Sequence, residues 1–333
     1  LDVLHGRLLP HSISITSGVE QGPSSFLYKV LEERAGNCVG LTSLYVALGE
    51  RLGLPLKAVA LPRHVFLRWD DGETVFDVEL TDRGRLRTHD ELGGVAPRVL
   101  SKKGLVSVVH TNRASMWLDS PVLSDESRLP NALDHASEAL AYDPRNEEAH
   151  LVRARALIRL GDLTGATASA ERALELAPLD ADAPLTMAEV LALAGRFDDA
   201  LTWLDRADAT SPGEASGALT RLRCLAGLGR HEEVVASATG FLETQEHRGV
   251  RHARLRALVS LGRSGWEEEL GRLATRVPER WTLSMGVAEL LLERDAAVDA
   301  LRVLEPLADL EREAAAAEGH GGHRIVDVGE GDG

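Results

Sequence analysis

The fold of the first third of the chain is decided by residues 31–55, which read LEERAGNCVGLTSLYVALGERLGLP. Asn37 is a good N-cap, because its side chain can accept the free backbone N–H groups of a first helical turn. Leucines then recur every three or four residues, which is typical of a helix with one buried face. A glycine and a proline end the pattern. The stretch predicts a helix from Cys38 to about Leu52, preceded by a shorter helix near residues 24–34.

Cys38 occupies the first turn of this predicted helix. The unpaired backbone N–H groups and the positive end of the helix dipole stabilise a thiolate there. A nucleophilic cysteine needs such a position, whereas a cysteine that only fills space in a core does not. Packing of a single cysteine in an apolar helix remains the alternative. The second cysteine, Cys224, lies beside leucines and is expected to be a small buried hydrophobic residue.

Three strand patterns follow the cysteine helix, at residues 56–61, 64–69 and 74–80. Apolar residues alternate in the second and third strands, and a turn of two or four residues puts both apolar sets on one side of the sheet. In either register His64, Asp77 and Glu79 share the opposite face. His64 is then expected directly across from Asp77 or one diagonal away.

Cys38, His64 and Asp77 together offer a nucleophile, a base and an orienting acid. The thiolate can attack a carbonyl carbon, the histidine can carry the proton, and the aspartate can hold the imidazole in one tautomer. Glu79 lies on the same face and could replace Asp77. In the alternative interpretation, His64 is an exposed residue at the edge of a strand and the set has no chemical role.

Two motifs resemble the transglutaminase-like superfamily, whose members place a cysteine at a helix start and then a histidine and an aspartate on adjacent antiparallel strands. They are RAGNCVGLTSLY at residues 34–45 and PRHVFLR at residues 62–68. Together with RLGLP at residues 51–55, they are similar to a bacterial branch that carries C-terminal tetratricopeptide repeats. The resemblance covers about residues 1–115 and implies an α+β, papain-like cysteine domain that is incomplete at its N-terminus.

By this likeness Cys38 is the nucleophile, His64 the base and Asp77 the orienting acid. Many members of the branch lack the cysteine, so the presence of Cys38 favours chemistry in this chain. Arg63 stands where the branch commonly has glycine before the histidine. A bulky cation at that position is expected to narrow or re-charge the substrate cleft.

The remainder of the chain repeats with a period of 34 residues, at which prolines, glycines and alanines recur in phase: Pro144, Pro178 and Pro212; Gly161, Gly195 and Gly229; Ala139, Ala173 and Ala207. The glycine ends one helix of each pair, the small residue permits close contact and the proline stops the next helix. This pattern resembles the tetratricopeptide repeat. It predicts repeats near 147–180, 181–214 and 215–248, a half-repeat near 129–145 paired with a helix at 105–119, and degenerate capping helices at 281–293 and 295–317.

The predicted organisation is a transglutaminase-like domain at residues 1–112, an all-α tetratricopeptide repeat solenoid at 113–318 and a disordered tail at 319–333. Such solenoids present a concave groove, which is expected to bind a protein or peptide. Histidines in the tail lack a fixed geometry for a metal ion, so no metal or cofactor is expected; they are His320 and His323. Other histidines have no partner at a recognisable spacing: His5, His11, His89 and His110.

Charge and composition argue against several classes of protein. The net charge is −15; residues 1–112 balance at 13 basic and 13 acidic, and the remainder has 24 basic and 39 acidic. An acidic surface repels nucleic acid. No apolar run approaches the roughly 20 residues that span a bilayer. Since only two cysteines are present and they lie in different domains, no disulfide framework is expected and a cytoplasmic location fits.

The preferred hypothesis is a thiol-dependent acyl-transfer enzyme, either an amide or peptide hydrolase or a transglutaminase-like enzyme. Its repeats would bind a protein or peptide. The rival hypothesis is a non-catalytic transglutaminase-like module joined to a repeat scaffold for protein–protein interaction. The sequence does not choose between water and an amine as the acyl acceptor.

Overall fold

The computed structural model describes residues 27–33, 36–82, 84–88, 97–178, 180, 182–210, 213–273 and 277–305. They fall into two compact units, which divide after residue 212. The described residues of the first unit form a five-stranded sheet, with two α-helices before it and six after it. Those of the second unit form helices.

Two helices open the described part of the first unit: α1 spans Leu27–Glu33 and α2 spans Cys38–Leu52. Asn37 caps α2, because its side chain accepts a hydrogen bond from the Gly40 N–H at 3.0 Å. Gly53 ends the helix in the left-handed region, with a φ of 67°. The predicted helix from Cys38 to about Leu52 is therefore confirmed, and local capping sets both of its ends.

The strands form one antiparallel sheet in the order β4-β3-β2-β1-β5. They are β1 Leu56–Leu61, β2 His64–Asp70, β3 Val75–Glu79, β4 Arg85–Leu86 and β5 Arg98–Val99. Helix α2 packs on one face, where Leu41, Leu44 and Tyr45 meet Leu67 and Val78. Burial of each large apolar side chain is worth about 1.5–3 kcal/mol, so this core fixes α2 against the sheet.

A two-residue turn of Pro62 and Arg63 joins β1 to β2 and pairs Leu61 with His64. Arg63 has a φ of 58°, in the left-handed region that favours glycine. Proline at the first central position with a positive φ at the second is the pattern of a type II turn. This backbone geometry explains why the resembling family commonly has glycine at this position. In this chain Arg63 adopts the same conformation and is strained.

Replacing Arg63 with glycine is expected to raise the free energy of unfolding of the first unit by roughly 0.5–1 kcal/mol. The left-handed conformation costs a residue with a side chain about 1–2 kcal/mol, and glycine avoids this cost. Glycine also loses more backbone entropy on folding, which offsets part of the stabilisation. Chemical denaturation followed by circular dichroism measures the change. Arg63→Ala removes the same charge and keeps the strain, so it should give no gain; equal gains from both variants would attribute the effect to charge.

Strands β2 and β3 pair across a four-residue turn, with Leu67 opposite Val78 and Arg68 opposite Asp77. This turn is one of the two lengths that the apolar pattern allowed. The predicted placement of His64 across from Asp77 is wrong, because this register puts Asp77 opposite a residue four positions further along β2. Glu79 lies on the same face as Asp77, two residues nearer the end of β3 that adjoins His64.

Helix α3, Lys102–Asp119, contributes to two hydrophobic cores of the first unit. Its N-terminal half packs on α2 and the sheet through Leu105. Its C-terminal half packs on the next two helices through Ala114 and Leu118. The boundary predicted between residues 112 and 113 falls inside this helix, because one continuous segment serves both neighbours.

Five further helices complete the first unit: α4 Asp125–Tyr142, α5 Glu147–Leu160, α6 Leu163–Leu176, α7 Asp182–Leu193 and α8 Phe197–Thr210. They contact one another as consecutive pairs, and α3 is the partner of α4, as the half-repeat required. Gly161 and Gly195 follow α5 and α7 with positive φ. Three in-phase alanines are buried between helices, as the 34-residue period predicted: Ala139, Ala173 and Ala207.

The described residues of the second unit form five helices with defined ends: α9 Ala215–Gly227, α10 His231–Thr244, α11 Arg248–Leu261, α12 Trp266–Leu273 and α13 Val277–Leu292. Residues 297–305 are also helical. Cys224 is fully buried in α9, as predicted. The capping helix predicted at 281–293 begins four residues earlier, as α13. The rest of the helix predicted at 295–317 and the tail with its two histidines lie outside the described residues, as do His5, His11 and His89.

Glu269 is a buried carboxylate in α12. Arg251 Nη1 donates to both of its oxygens, at 3.2 and 3.3 Å, and Arg254 Nη2 donates to Oε1. Arg251 also binds Glu246 at the surface. Two guanidinium groups thus compensate a charge that would be costly to bury alone.

Candidate active site

A cavity of about 290 Å³ opens at the start of α2, within the first unit. Cys38 and His64 line it beside Arg63 of the β1–β2 turn. Polar residues of α3 and of the start of α5 also line it: Thr111, Asn112, Ser115, Asn146, Glu147 and Glu148. The cleft is therefore bounded by the cysteine helix and the sheet on one side and by the first repeat helices on the other.

Cys38 and His64 come together in this cleft. Cys38 is the first residue of α2 and is half-buried. His64 is the first residue of β2 and is also half-buried. The Cys38 side chain lies close enough to the ring to raise the pKa of His64. Packing of α2 on the sheet thus brings together the two residues that the sequence proposed as nucleophile and base.

The second partner of His64 is Glu79, whose Oε2 lies 2.6 Å from Nε2 of the ring. Burial lowers the pKa of His64, but hydrogen bonds to Cys38 and Glu79 and the charge of Glu79 outweigh it. Together these effects raise the pKa of His64 to about 9. A ring with this pKa favours its cationic form at neutral pH, and in that form it can pair with the Glu79 carboxylate and with a Cys38 thiolate.

Glu79 is buried and held by bonds to both of its oxygens. Oε1 accepts from the Thr81 N–H at 3.2 Å and from its hydroxyl at 2.5 Å, and Oε2 accepts from Arg87 Nη1 at 2.6 Å. Burial raises the pKa of Glu79, but the bonds from His64, Thr81 and Arg87 and the charge of His64 outweigh it and bring the pKa to about 2. The carboxylate is fixed and ionised, so it can hold the His64 ring in one orientation.

Asp77 binds Arg68 and does not contact His64. Arg68 Nε donates to Oδ1 at 2.6 Å and Nη2 donates to Oδ2 at 2.8 Å, a two-point pairing of guanidinium and carboxylate. The structure brings together Cys38, His64 and Glu79 and leaves Asp77 with Arg68. Counting pairs back from a four-residue turn would have set Asp77 opposite the basic Arg68, and this signal was available in the sequence.

The repeat side of the cleft was missed by reasoning from the sequence. Asn146 Nδ2 donates to the hydroxyls of Ser107 and Thr111 at 2.8 and 2.9 Å. Arg98 of β5 donates to Asp143 Oδ2 at 2.6 Å. These contacts fix the start of α5 against α3 and the sheet. They join residues 35 to 45 positions apart, so no local pattern indicates them.

Glu148, on the repeat side of the cleft, has a carboxyl group with a pKa near neutral pH. Burial raises its pKa to about 7; the charge of Arg155 opposes the shift, and that of Asp182 adds to it. The cleft therefore contains a group whose charge changes in the physiological range.

Comparison with known families agrees with this geometry. A family model described as the transglutaminase-like superfamily matches residues 19–113. Two tetratricopeptide repeat models match residues 121–181 and 160–222. The first match contains Cys38 and His64, and the other two begin after α3.

Two curated relatives, each named UPF0162 protein and each from a strain of Xylella fastidiosa, are 30% and 31% identical over 162 residues. The alignments cover 43% of this chain and 55% of each relative, so the chain spans about half the length of the curated relatives that it matches.

Solved structures of repeat proteins resemble the chain in fold. PilW, a type IV pilus biogenesis factor, matches with a TM-score of 0.50 at 22% identity, over 60% of this chain and 93% of its own. A thermophilic TPR protein from Thermus thermophilus has a TM-score of 0.47 at 21% identity, over 55% of this chain and 99% of its own. The likeness to PilW supports the helical repeat fold alone.

Every helix among the described residues is too short or too polar to cross a membrane. Sheet, cysteine helix and paired repeat helices agree with the matched families. The chain therefore contains a transglutaminase-like domain at residues 19–113, followed by tetratricopeptide repeats at residues 121–222.

Proposed function

We propose that the chain is a thiol-dependent acyl-transfer enzyme that acts on an amide or peptide. The observation that carries this proposal is the His64 ring, which bonds the Glu79 carboxylate and lines the same cavity as Cys38. Both Cys38 and His64 line a cavity that can admit a substrate. The family of residues 19–113 supports the same chemistry.

The first half-reaction forms a thioester. The Cys38 thiolate attacks the carbonyl carbon, and the Cys38 backbone N–H at the start of α2 stabilises the negative charge on the carbonyl oxygen. His64 gives its proton to the leaving amine as the C–N bond breaks. Glu79, in place of the predicted Asp77, keeps the imidazole oriented during this transfer.

The second half-reaction releases the acyl group. His64, now neutral, removes a proton from the acceptor as the acceptor attacks the thioester carbon. The C–S bond breaks, and the Cys38 thiolate and the His64 cation are restored. Water as acceptor gives hydrolysis, and an amine gives a new amide.

The size of the cleft favours a side chain or short peptide segment over a folded surface, because about 290 Å³ lies at the lower end of ligand pockets. The repeats are proposed to hold the remainder of a protein or peptide substrate on their concave surface. The cleft is lined by both basic and acidic side chains, which suits a polar substrate; they are Arg63, Arg98, Glu147 and Glu148.

Cys38 is expected to react with iodoacetamide at pH 7 about tenfold faster than a free cysteine derivative, because a histidine cation beside it favours the thiolate. His64→Ala should remove that advantage. Mass spectrometry of peptides separates the labelling of Cys38 from that of Cys224, whose full burial makes it an internal reference for unfolding. If Cys38 reacts at the free-cysteine rate in both proteins, the non-catalytic scaffold becomes the better hypothesis.

Acyl transfer itself is tested with p-nitrophenyl acetate. The expected product is an acetyl group on Cys38, absent from Cys38→Ser. Loss of the acetyl group in water alone assigns hydrolysis, and its faster loss with glycinamide, with acetylglycinamide as product, assigns transfer. Labelling of Cys38 by iodoacetamide without any acetylation would limit the site to a reactive thiol and contradict the enzyme.

A further inference from the structure

Three side chains converge on the surface between α3 and α4, outside the cleft. His110 lies on α3, and His135 and Glu138 lie on one face of α4, three residues apart. Oε2 of Glu138 is 2.8 Å from Nδ1 of His110 and 3.0 Å from Nδ1 of His135. One nitrogen or oxygen from each of the three residues lies within 4.8 Å of the others.

Packing holds the two imidazole rings in place. The side chains of His110 and His135 are only 19% and 16% exposed, while that of Glu138 is 54% exposed. The His110 ring contacts His135 at a centroid distance of 5.8 Å and stacks on Tyr142 at 5.4 Å. The rings are therefore supported from the protein side, and the carboxylate side is open to solvent.

A hydrogen bond does not fully account for the position of His110. Its Nδ1 is buried and makes no well-directed hydrogen bond, although Glu138 Oε2 is close. A nitrogen and a carboxylate oxygen that lie this close without a well-directed hydrogen bond suit a shared third atom. Zinc bound by nitrogen and oxygen at about 2.0–2.1 Å separates its ligands by about 3.3 Å, which small side-chain rotations would reach here.

We propose that His110, His135 and Glu138 bind a divalent transition-metal ion of the zinc class and so join α3 to α4. Imidazole nitrogens select zinc, cobalt or nickel over magnesium and calcium, which prefer oxygen ligands alone. Three protein ligands leave a coordination position for water. No local sequence pattern indicates the site, because its histidines are 25 residues apart on different helices.

Such an ion would act on the wall of the candidate active site. Thr111 and Asn112, which line the cleft, directly follow His110 on α3. Clamping α3 to α4 at His110 would therefore hold that wall in place. The expected consequence is a higher unfolding midpoint in the presence of the metal, since an ion that binds only the folded state stabilises it.

Calorimetric titration of the chain of residues 1–333 with Zn²⁺ tests the site. The background carries Cys38→Ser, His320→Ala and His323→Ala, which removes the thiol of the cleft and the two tail histidines as competing ligands. One equivalent of Zn²⁺ is expected to bind, and His110→Ala and His135→Ala should each weaken binding at least about tenfold. Co²⁺ in the same protein should give visible absorption bands whose intensity indicates four or five ligands.

Glu138→Gln is the conservative variant that guards against misfolding, because it keeps the shape of the side chain but replaces the charged carboxylate with a neutral amide. It should also weaken Zn²⁺ binding and abolish the rise in the unfolding midpoint. His252→Ala, a histidine of α11 outside the cluster, is the matched control and should bind as the background does. Absence of binding in the background, or unchanged affinity in His110→Ala and His135→Ala, would overturn the site.

Discussion

Replacing Glu79 with glutamine is expected to lower the pKa of His64 and to slow alkylation of Cys38 at pH 7 by roughly tenfold or more. The Glu79 carboxylate is one cause of the raised His64 pKa, and glutamine keeps the shape but removes the charge. NMR titration of the His64 ring and iodoacetamide labelling of Cys38 measure the two effects. Both should shift in the same variant, because the same ion pair governs them.

Asp77→Asn is the matched control for this experiment. It removes an equal charge from the same face of β3, but the partner of Asp77 is Arg68. We expect Cys38 labelling within about twofold of the unmodified chain, since no contact links Asp77 to the imidazole. A larger effect from Asp77→Asn than from Glu79→Gln would return the orienting role to Asp77, and no effect from either would refute the triad.

The pairing of His64 with Glu79 makes the free energy of unfolding depend on pH. The pKa of His64 is raised above its usual value of about 6.5 to about 9, so the folded state binds the proton more tightly. This stabilisation is fully present below pH 6.5 and is lost as the pH rises through about 9. The decline should be absent from His64→Ala.

Glu269→Gln is expected to destabilise the second unit by roughly 3–5 kcal/mol, because it leaves the largely buried Arg254 without a carboxylate partner and Arg251 with the exposed Glu246 alone. The Glu269 side chain is only 4% exposed, and its partners Arg251 and Arg254 are 12% and 17% exposed. Hydrogen exchange of the α11 and α12 amides measures the loss in the second unit separately from the first.

Glu246→Gln is a matched comparison, since Glu246 also binds Arg251 but is 66% exposed. A surface ion pair is worth about 0–1 kcal/mol, so the change should be small. Equal losses from Glu246→Gln and Glu269→Gln would show that burial does not determine the energy of this cluster.

Much of the fold could be predicted because its signals are local. Asn37 and Gly53 set the ends of α2, and both lie within one turn of the helix that they terminate. The glycines and alanines at a 34-residue period likewise act within one helix pair. Each residue type imposes its backbone geometry or close contact without help from distant parts of the chain.

The site could be predicted only in part, because its remaining members depend on tertiary placement. Cys38 and His64 were recognisable from their positions at element starts, but the choice between Asp77 and Glu79 depended on the β2–β3 register. The opposite wall, where Asn146 binds Ser107 and Thr111, depends on docking of α3 against α5. Contacts of this kind leave no period in the sequence.

Helix α3 has a consequence for the exchange of these modules between proteins. A recombination point between residues 113 and 121, where the family matches separate, would transfer the repeats without the helix against which α4 packs. A point just before Lys102 would transfer that helix but expose the sheet surface that Leu105 covers. Inheritance of the cysteine domain and its first repeats as one block preserves both surfaces, and a functional chimera should be cut no earlier than the end of α5.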